Sequence, residues 1–398
     1  MIWVMKVIAK IEDKRKHIEM IDLDQIVPEH HLVRKIECAV DFTEVHNMLS
    51  VYYCEDNGRP SVDPVVLVKI VLLQRLFGIP SLRRTVSEIE VNMAYRWFLE
   101  YGFTTRVPHF ATVSYAFATR FPSEVFEKIF SWVLEKAIGK GLVDAKTIYI
   151  DATHVKANAN KNKNRKIIAQ ELAKVYDRQL REEINAERTK HGKKGFEDKD
   201  DDDNDGETAH CREVTVSTTD PESGLFHKGE HKVVFAYTAH VACDEHNFVL
   251  GCEVTPGNVH DSMVFDAVYE DVVEKFEEVE TVTVDAGYKT PWICKKVLDD
   301  GREISVPYKR PMTKEGFFKR YEYVYDEYYD CILCPNNQVL KYSTANRQGY
   351  REYKSDPKIC MDCLDRMRCT RSRNLQKVVT RHLWDSYLEQ AEDFRHSA

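Results

Sequence analysis

Apolar residues recur every three to four positions through the first third of the chain. The spacing is regular in residues 31–49 (HLVRKIECAVDFTEVHNML) and again in residues 62–79 (VDPVVLVKIVLLQRLFGI). Since this period matches one face of an α-helix, it predicts that residues 1–145 form a helical domain.

The second stretch also carries signals for where a helix begins and ends. Ser61 or Asp63 can cap its first backbone amides, Pro64 suits the first turn, and Gly78 with Pro80 closes it. We therefore predict a helix between these residues.

A second helical pattern opens at Ser81 and continues through Trp97. The pair resembles a helix-turn-helix with Arg83 and Arg84 at the start of its second helix, where two cations could enter a major groove. An ordinary helical hairpin with solvated arginines accounts for the same pattern equally well.

The pattern changes at Thr147 to short runs rich in β-branched residues, which predict strands. A helical pattern from about Ser262 to Phe276 separates the third run from the fourth. Three strands, a helix and two further strands are the order of a ribonuclease H-like sheet, so we predict an α/β core over residues 146–310. The runs are TIYID (147–151), KVVFAYTAHVACD (232–244), FVLGCEVTPGN (248–258), VETVTVDAGY (279–288) and REISVPY (302–308).

An insertion of about 160–230 interrupts this core between the first two strands. Residues 165–187 read as a charged helix. Dense acidic charge follows from Lys193 to Glu207, and because it repels itself we predict a flexible, solvated loop there and not a metal site.

Charge and hydropathy narrow the choice of partners. The net charge of −8 and the pI near 6.0 argue against nonspecific nucleic-acid binding, but the segment from Cys331 to Arg381 holds 11 Lys or Arg against 4 Asp or Glu, a basic footprint for phosphates. No apolar run approaches the roughly 20 residues of a membrane span, and the first residues lack a cleavage site for a signal peptide, so we expect a cytoplasmic protein without a membrane partner.

Two acidic residues each follow a β-branched run: Asp151 after Ile148-Tyr149-Ile150, and Asp285 after Val282-Thr283-Val284. At the carboxyl ends of adjacent strands, both carboxylates could point into one crevice and share two Mg²⁺ or Mn²⁺ ions about 3.5 to 4 Å apart, as phosphodiester chemistry requires. Either residue alone is weak evidence, since turns also favour Asp.

At these residues the chain resembles the DDE transposases of bacterial insertion sequences, in the group with an InsH-like helical amino-terminal domain. The resemblance implies that Asp151 and Asp285 are the first two catalytic carboxylates and metal ligands. It also implies DNA contacts by the residues that follow them, although a polar turn would explain His154 and Lys156 equally well. The matching motifs are GIPSLR (78–83), EVNMAYRWFLEY (90–101), DATHVKA (151–157), TPGNVHD (255–261) and DAGY (285–288), and the predicted DNA-contacting residues are Arg83, Arg84, His154, Lys156, Tyr288 and Lys289.

His260 and Asp261 precede the helix that separates the third and fourth strands. We interpret Asp261 as the cap of that helix. A supporting role beside the catalytic crevice is the alternative.

The family pattern also contains a third carboxylate, a Glu in a segment resembling E-T-I-E-R-x-F on a helix after the fifth strand. No such segment is present, and the surroundings of Glu389 and Glu392 resemble the stretch before that helix. We therefore expect that the chain is truncated and that its metal affinity and strand transfer are reduced.

Five cysteines crowd into residues 331–369, with two CxxC pairs among them: Cys331, Cys334, Cys360, Cys363 and Cys369. This spacing predicts a structural Zn²⁺ knuckle within a basic, cysteine-rich region of 311–398 that also begins the carboxyl-terminal helical part. The choice of four ligands is open, because Cys369 could replace Cys363. Buried thiols are the alternative.

These features together predict a transposase that acts as a homodimer, binds terminal inverted repeats, and cuts and joins DNA. A truncated DNA-binding inhibitor of the full enzyme, an inactive remnant, and a nuclease that cuts without joining are the alternatives.

Overall fold

The computed structural model describes residues 18, 20–54, 61–170, 176–196, 211–228, 232–309 and 312–397. Its backbone divides into two compact units, Met1–Gly139 and Lys140–Ala398. No helix in the described ranges is both long and apolar enough to span a membrane.

The first unit is helical, as the apolar period predicts. Its buried side chains, among them Leu49, Ile70 and Phe98, form one apolar core. The helices are α1 (Leu23–Ile26), α2 (Leu32–Ala39), α3 (Phe42–Ser50), α4 (Pro64–Leu76), α5 (Leu82–Val91), α6 (Met93–Phe98), α7 (Phe110–Tyr115) and α8 (Ser123–Gly139), with a π-helical turn at Ala116–Arg120.

Helix ends in this unit follow local capping chemistry. Asp63, and not Ser61, caps α4 by accepting a hydrogen bond from the Val65 amide at 2.8 Å. The prediction of one helix from Ser81 through Trp97 is wrong, because the Asn92 side chain accepts bonds from two following amides and starts a new helix.

One cation is buried in the core of the first unit. Lys69 is 1% exposed, and its Nζ lies 2.9 Å from Glu37 and 3.1 Å from Glu100. The ammonium also sits over the rings of Phe42 and Phe98. These contacts satisfy a charge that would be costly to bury alone.

The second unit is a mixed α/β structure built on two sheets. All five predicted strands are present, and the helix predicted between the third and fourth is there too, preceded by a 3-10 turn at Asp261–Met263. The strands of the larger sheet are β1 (Thr147–Lys156), β2 (Asn164–Gln170), β3 (Cys211–Ser217), β4 (Gly224–Lys228), β5 (Lys232–Cys243), β6 (Val249–Pro256), β7 (Thr281–Val284) and β8 (Glu303–Ser305), and the helices among them are α9 (Asp177–Lys190), α10 (Phe265–Lys275) and α11 (Pro291–Asp299).

The centre of this sheet has the strand order β6-β5-β1-β7-β8. β1 runs antiparallel to β5 and parallel to β7, and β7 runs parallel to β8. The carboxyl end of β7 therefore lies beside the middle of β1, which continues to Lys156.

The insertion after β1 differs from its prediction. The charged helix predicted over residues 165–187 is α9 only in its second half, because Asn164–Gln170 pairs with Cys211–Ser217 as an antiparallel hairpin. Of the acidic loop predicted from Lys193 to Glu207, residues 197–207 lie outside the described residues.

A smaller sheet follows β8, and its strand order is β13-β12-β11-β10-β9. Its core joins the first insertion, since Leu180 and Ile184 of α9 pack with Ala345 and Trp384. The elements are β9 (Val324–Asp326), β10 (Cys331–Leu333), β11 (Val339–Ala345), β12 (Tyr350–Lys354), α12 (Pro357–Met361), α13 (Arg366–Cys369), β13 (Val378–His382) and α14 (Asp385–Ser397).

Candidate active site

The two predicted carboxylates follow a buried layer of the larger sheet. Ile150 of β1 pairs in register with Val284 of β7, and these side chains are 1% and 4% exposed. Asp151 and Asp285 are the next residues in each chain, and both are exposed. Since side chains alternate along a strand, burial of the preceding residue turns each carboxylate to the opposite side, and a slip of one residue would bury both acids.

The two carboxylates are held differently. Asp151 lies inside β1, which continues to Lys156 and pairs with β5 on both sides of it. Asp285 ends β7 in extended conformation and leads into a 3-10 turn, Ala286–Tyr288. Neither carboxylate forms an ion pair with a Lys or Arg of the described residues. Two acids without an ion pair, one inside β1 and one directly after β7, suit a divalent cation.

A buried polar pair lies beneath this edge. Tyr288 is 1% exposed, and its hydroxyl bonds to Nδ1 of His240 at 2.8 Å. His240 is fully buried on β5, and its Nε2 lies 3.1 Å from the Thr255 hydroxyl. Burial lowers the pKa of His240, so the ring is held in its neutral form.

The pKa of the Tyr288 hydroxyl is affected by three nearby carboxylates. Burial raises the pKa of the Tyr288 hydroxyl most, and the carboxylates of Asp261, Asp151 and Asp285 raise it further, in that order. Three carboxylates are therefore within electrostatic reach of one hydroxyl.

The predicted role of Asp261 as a helix cap is wrong. Asp261 begins a 3-10 turn, which the side chain of His260 caps by accepting a bond from the Ser262 amide at 3.2 Å. The helix α10 begins after Val264 without a side-chain cap. Asp261 instead lies against the turn after β7, because a Cβ built on Gly287 would be 2.6 Å from Oδ2 of Asp261. The sequence signal for this contact was the glycine two residues after Asp285.

Three models of protein families match the chain, and together they cover residues 21–118 and 142–398. A model described as "Transposase domain (DUF772)" matches residues 21–118, and one described as "Transposase DDE domain" matches residues 142–356, more than half of the chain. The chain belongs to the DDE transposase family. A second model with the description "Transposase DDE domain" matches residues 333–398 of this family member. The resemblance to insertion-sequence transposases is thereby confirmed.

Other comparisons add little to the family assignment. No curated protein matches the chain. A solved structure titled "Mos1 transposase paired-end complex with left transposon end" matches at 11% identity over 63% of this chain and 61% of that chain. Its TM-score is 0.18, which is too low to indicate a shared fold.

Two of the residues predicted to contact DNA, His154 and Lys156, are exposed on β1. Because side chains alternate along a strand, both point to the face opposite that of Asp151. The His154 ring packs on Phe226, and its Nδ1 lies 2.9 Å from the Thr238 hydroxyl.

The two predicted DNA contacts after Asp285 are turned inward. Tyr288 lies beneath the crevice in this structure, since its ring is buried and its hydroxyl is bonded. Lys289 is 9% exposed, and its Nζ pairs with Glu392 of α14 at 2.6 Å. The other acid considered on that helix, Glu389, forms a two-point pair with Arg381 at 2.5 and 2.7 Å.

The two arginines of the helical unit stay at its surface. Arg83 and Arg84 are exposed in the first turn of α5, which Ser81 caps. Arg83 sits over the Phe110 ring, and Arg84 pairs with Glu88 one turn later.

Four of the five clustered thiols line one cavity of the smaller sheet: Cys334, Cys360, Cys363 and Cys369. The fifth, Cys331, is buried in β10. Amide groups of Gln338 and Asn336 donate hydrogen bonds to the sulfurs of Cys334 and Cys363 at 3.4 and 3.2 Å.

Within the described ranges, one group of three or more ionisable side chains has all of its ligand atoms within 4.8 Å of one another. It consists of Glu187, His191 and Asp330, and it includes neither the thiols nor the acids of the crevice. The Arg351 guanidinium lies 2.8 Å from Glu187. Because this cation already offsets the acidic charge, we interpret the group as an ion-pair network that ties α9 to the smaller sheet.

Proposed function

We propose that this protein is the transposase of an insertion sequence, which binds terminal inverted repeats, hydrolyses phosphodiesters at the ends of the element and joins the freed 3′-hydroxyl to target DNA. The observation that carries the proposal is the register of β1 and β7. It pairs Ile150 with Val284, the residues directly before Asp151 and Asp285, within the segment matched by the DDE domain model.

The strand order supports a ribonuclease H-like core for this activity. The central order β6-β5-β1-β7-β8, with α10 between its third and fourth strands in sequence, matches the predicted arrangement. In such a core the ligand crevice lies outside the carboxyl ends of the central parallel strands, where the strand order reverses.

Asp151 and Asp285 would hold Mg²⁺ or Mn²⁺. Their hard oxygen atoms suit these ions, and no Lys or Arg of the described residues competes for them. When bound, the ions activate the attacking water or 3′-hydroxyl and stabilise the leaving oxygen. The chain supplies position: the ladder to β5 fixes Asp151 on both sides, and the 3-10 turn fixes Asp285.

We assign the DNA contacts to exposed side chains. Arg83 and Arg84 would bind the terminal repeats, and His154 and Lys156 would bind the DNA backbone along the face of β1 opposite Asp151. The buried Tyr288 and the paired Lys289 would act by positioning the turn after Asp285.

The cleavage test uses a DNA duplex that ends in the element's terminal repeat, with Mg²⁺ or Mn²⁺. We expect Asp151→Ala and Asp285→Ala to abolish nicking while repeat binding persists in both variants. Asp271→Ala is the matched control, because its carboxylate is paired with Lys275 at 2.7 Å away from the crevice. Nicking by both site variants at the rate of the unaltered chain would refute the assignment.

A DNA-binding derivative without cleavage activity is the second candidate. It is favoured by the engagement of Glu389 and Glu392 in ion pairs, which leaves neither free to complete the crevice. The same assay distinguishes the two, since this candidate binds repeats but does not nick them with either metal.

For the smaller sheet we propose a structural Zn²⁺ site formed by Cys334, Cys360, Cys363 and Cys369. The shared cavity and the amide bonds to two of the sulfurs support this set over one that includes Cys331. Four thiolates are a common structural donor set for this ion. We expect one zinc per chain under reducing conditions and its loss in Cys363→Ser, with Cys331→Ser retaining it. No zinc in the unaltered chain would refute the site.

A further inference from the structure

The Asp261 side chain lies beside the turn that follows Asp285 and is 28% exposed. Its carboxylate accepts no hydrogen bond from the part of the chain that the structure describes, and His260, not Asp261, caps the 3-10 turn. Nδ1 of His240 lies 4.0 Å from this carboxylate, and that nitrogen already bonds to the Tyr288 hydroxyl.

The backbone beside Asp285 is shaped to admit this carboxylate. The turn that begins at Asp261 packs against the turn Ala286–Tyr288. Oδ2 of Asp261 occupies the space that a Cβ on residue 287 would enter, at 2.6 Å, so a side chain there would push the carboxylate aside. A side chain held in this position is aimed at the end of β7, two residues from Asp285.

Three carboxylates come together at this edge, and none of them forms an ion pair with a Lys or Arg of the described residues. Asp151 and Asp285 directly follow the paired residues Ile150 and Val284, and Oδ2 of Asp261 lies against the turn after Asp285. The nearest lysine in sequence, Lys289, is turned away to Glu392. Like charges this close repel one another, and a divalent cation would offset that repulsion.

We propose that Asp261 is a further carboxylate ligand of the divalent-cation site, alongside Asp151 and Asp285. The inference rests on the proposed function, because it adds a residue to the metal crevice of the DDE domain. The three carboxylates do not all lie within 4.8 Å of one another. In a two-ion site the ligands are shared between ions about 3.5 to 4 Å apart, so they need not all meet at one ion.

The role of the buried pair follows from this assignment. His240 and Tyr288 bond to each other beneath the three acids. They are positioning residues that hold the turn after Asp285 against Asp261.

The test measures Mn²⁺ binding by the full chain without DNA, from the electron paramagnetic resonance signal of the free ion. Asp261→Asn should raise the Kd by about tenfold or more, since loss of even an outer partner of a metal ligand costs about 10- to 100-fold. Gly287→Ala keeps every carboxylate but adds the Cβ that displaces Asp261, so it should weaken binding as well. Asp271→Asn, which alters a carboxylate paired with Lys275, should bind as the unaltered chain does.

Two results would overturn the inference, and they differ in what else they remove. An unchanged Kd in Asp261→Asn, with binding weakened in Asp151→Asn, excludes Asp261 but leaves the proposed metal crevice intact. Absence of Mn²⁺ binding by the unaltered chain removes the crevice and this inference together. Circular dichroism of each variant establishes that the fold is retained.

Discussion

Two buried tyrosines allow a direct test of the hydrogen bonding beneath the crevice. Tyr288 and Tyr269 are 1% and 0% exposed, and both rings pack on Phe265. They differ in what their hydroxyls meet. Tyr288 bonds to the fully buried His240 at 2.8 Å, whereas Tyr269 donates to Asp300 at 2.8 Å, whose side chain is 42% exposed.

The cost of removing each hydroxyl follows from these partners. Tyr288→Phe leaves Nδ1 of His240 without a partner in a site closed to water, so we expect a loss of about 1 to 3 kcal/mol in the free energy of unfolding. Tyr269→Phe frees a carboxylate that regains water, and we expect about 0.5 to 1.5 kcal/mol. At about 2 to 4 °C for each kcal/mol in a unit of this size, the difference is measurable.

The assay is thermal unfolding followed by circular dichroism, with the unaltered chain and both variants in one buffer without metal. The larger fall in Tm should belong to Tyr288→Phe. If Tyr269→Phe lowers the Tm as much or more, the loss of stability does not depend on the partner of the hydroxyl. That result would refute a tightly bonded pair of Tyr288 and His240 under the crevice.

Three further predictions concern charges. Lys69→Ala removes a buried cation from between two carboxylates that are 33% and 78% exposed and can regain water. It should lower the free energy of unfolding by about 1.5 to 3 kcal/mol, measured by urea denaturation, and a loss below that of an exposed lysine would contradict it. Hydrogen bonds from Arg381 hold the pKa of Glu389 below its ordinary value of 4.5. The stability this pair supplies is therefore present above about pH 4.5 and is lost as the pH falls through the lowered pKa, so Glu389→Gln should flatten the acid limb of a stability profile, and an unchanged limb would refute the pairing. Replacement of Arg83 and Arg84 by Ala should reduce the slope of log K against log salt for repeat DNA by about 2, measured by fluorescence anisotropy, whereas an unchanged slope would favour the plain helical hairpin.

The centre of the fold could be predicted because its signals are local. The alternation that buries Ile150 and Val284 can be recognised from five or six consecutive residues. The same alternation determines which face the following aspartate occupies. The start of α4 was likewise readable from Asp63 and Pro64, which act on amides a few residues away.

The errors arose where distant residues decide. Residues 164–170 pair with a strand more than 40 residues later, and that pairing overrode the helical reading of the charged segment. Asp261 precedes a helix, as many capping residues do. Only its contact with the distant Gly287 distinguishes a role beside the crevice from a role as a helix cap. The sequence analysis did not identify His240. It is a polar residue within the apolar run 232–244, and this pattern is the same for a member of a buried polar pair and for an ordinary core histidine.

The packing of α9 against the smaller sheet joins two segments that are inserted at different points in the chain, one after β1 and one after β8. Arg188 of α9 donates to the Thr344 hydroxyl at 2.7 Å and to the Ala345 carbonyl at 2.8 Å, beside the apolar contacts of Ile184. Each insertion thus covers apolar surface of the other. Neither can be trimmed alone without exposing its counterpart, so an engineer who shortens this protein must delete both or keep both, and relatives that lack one insertion should lack its companion.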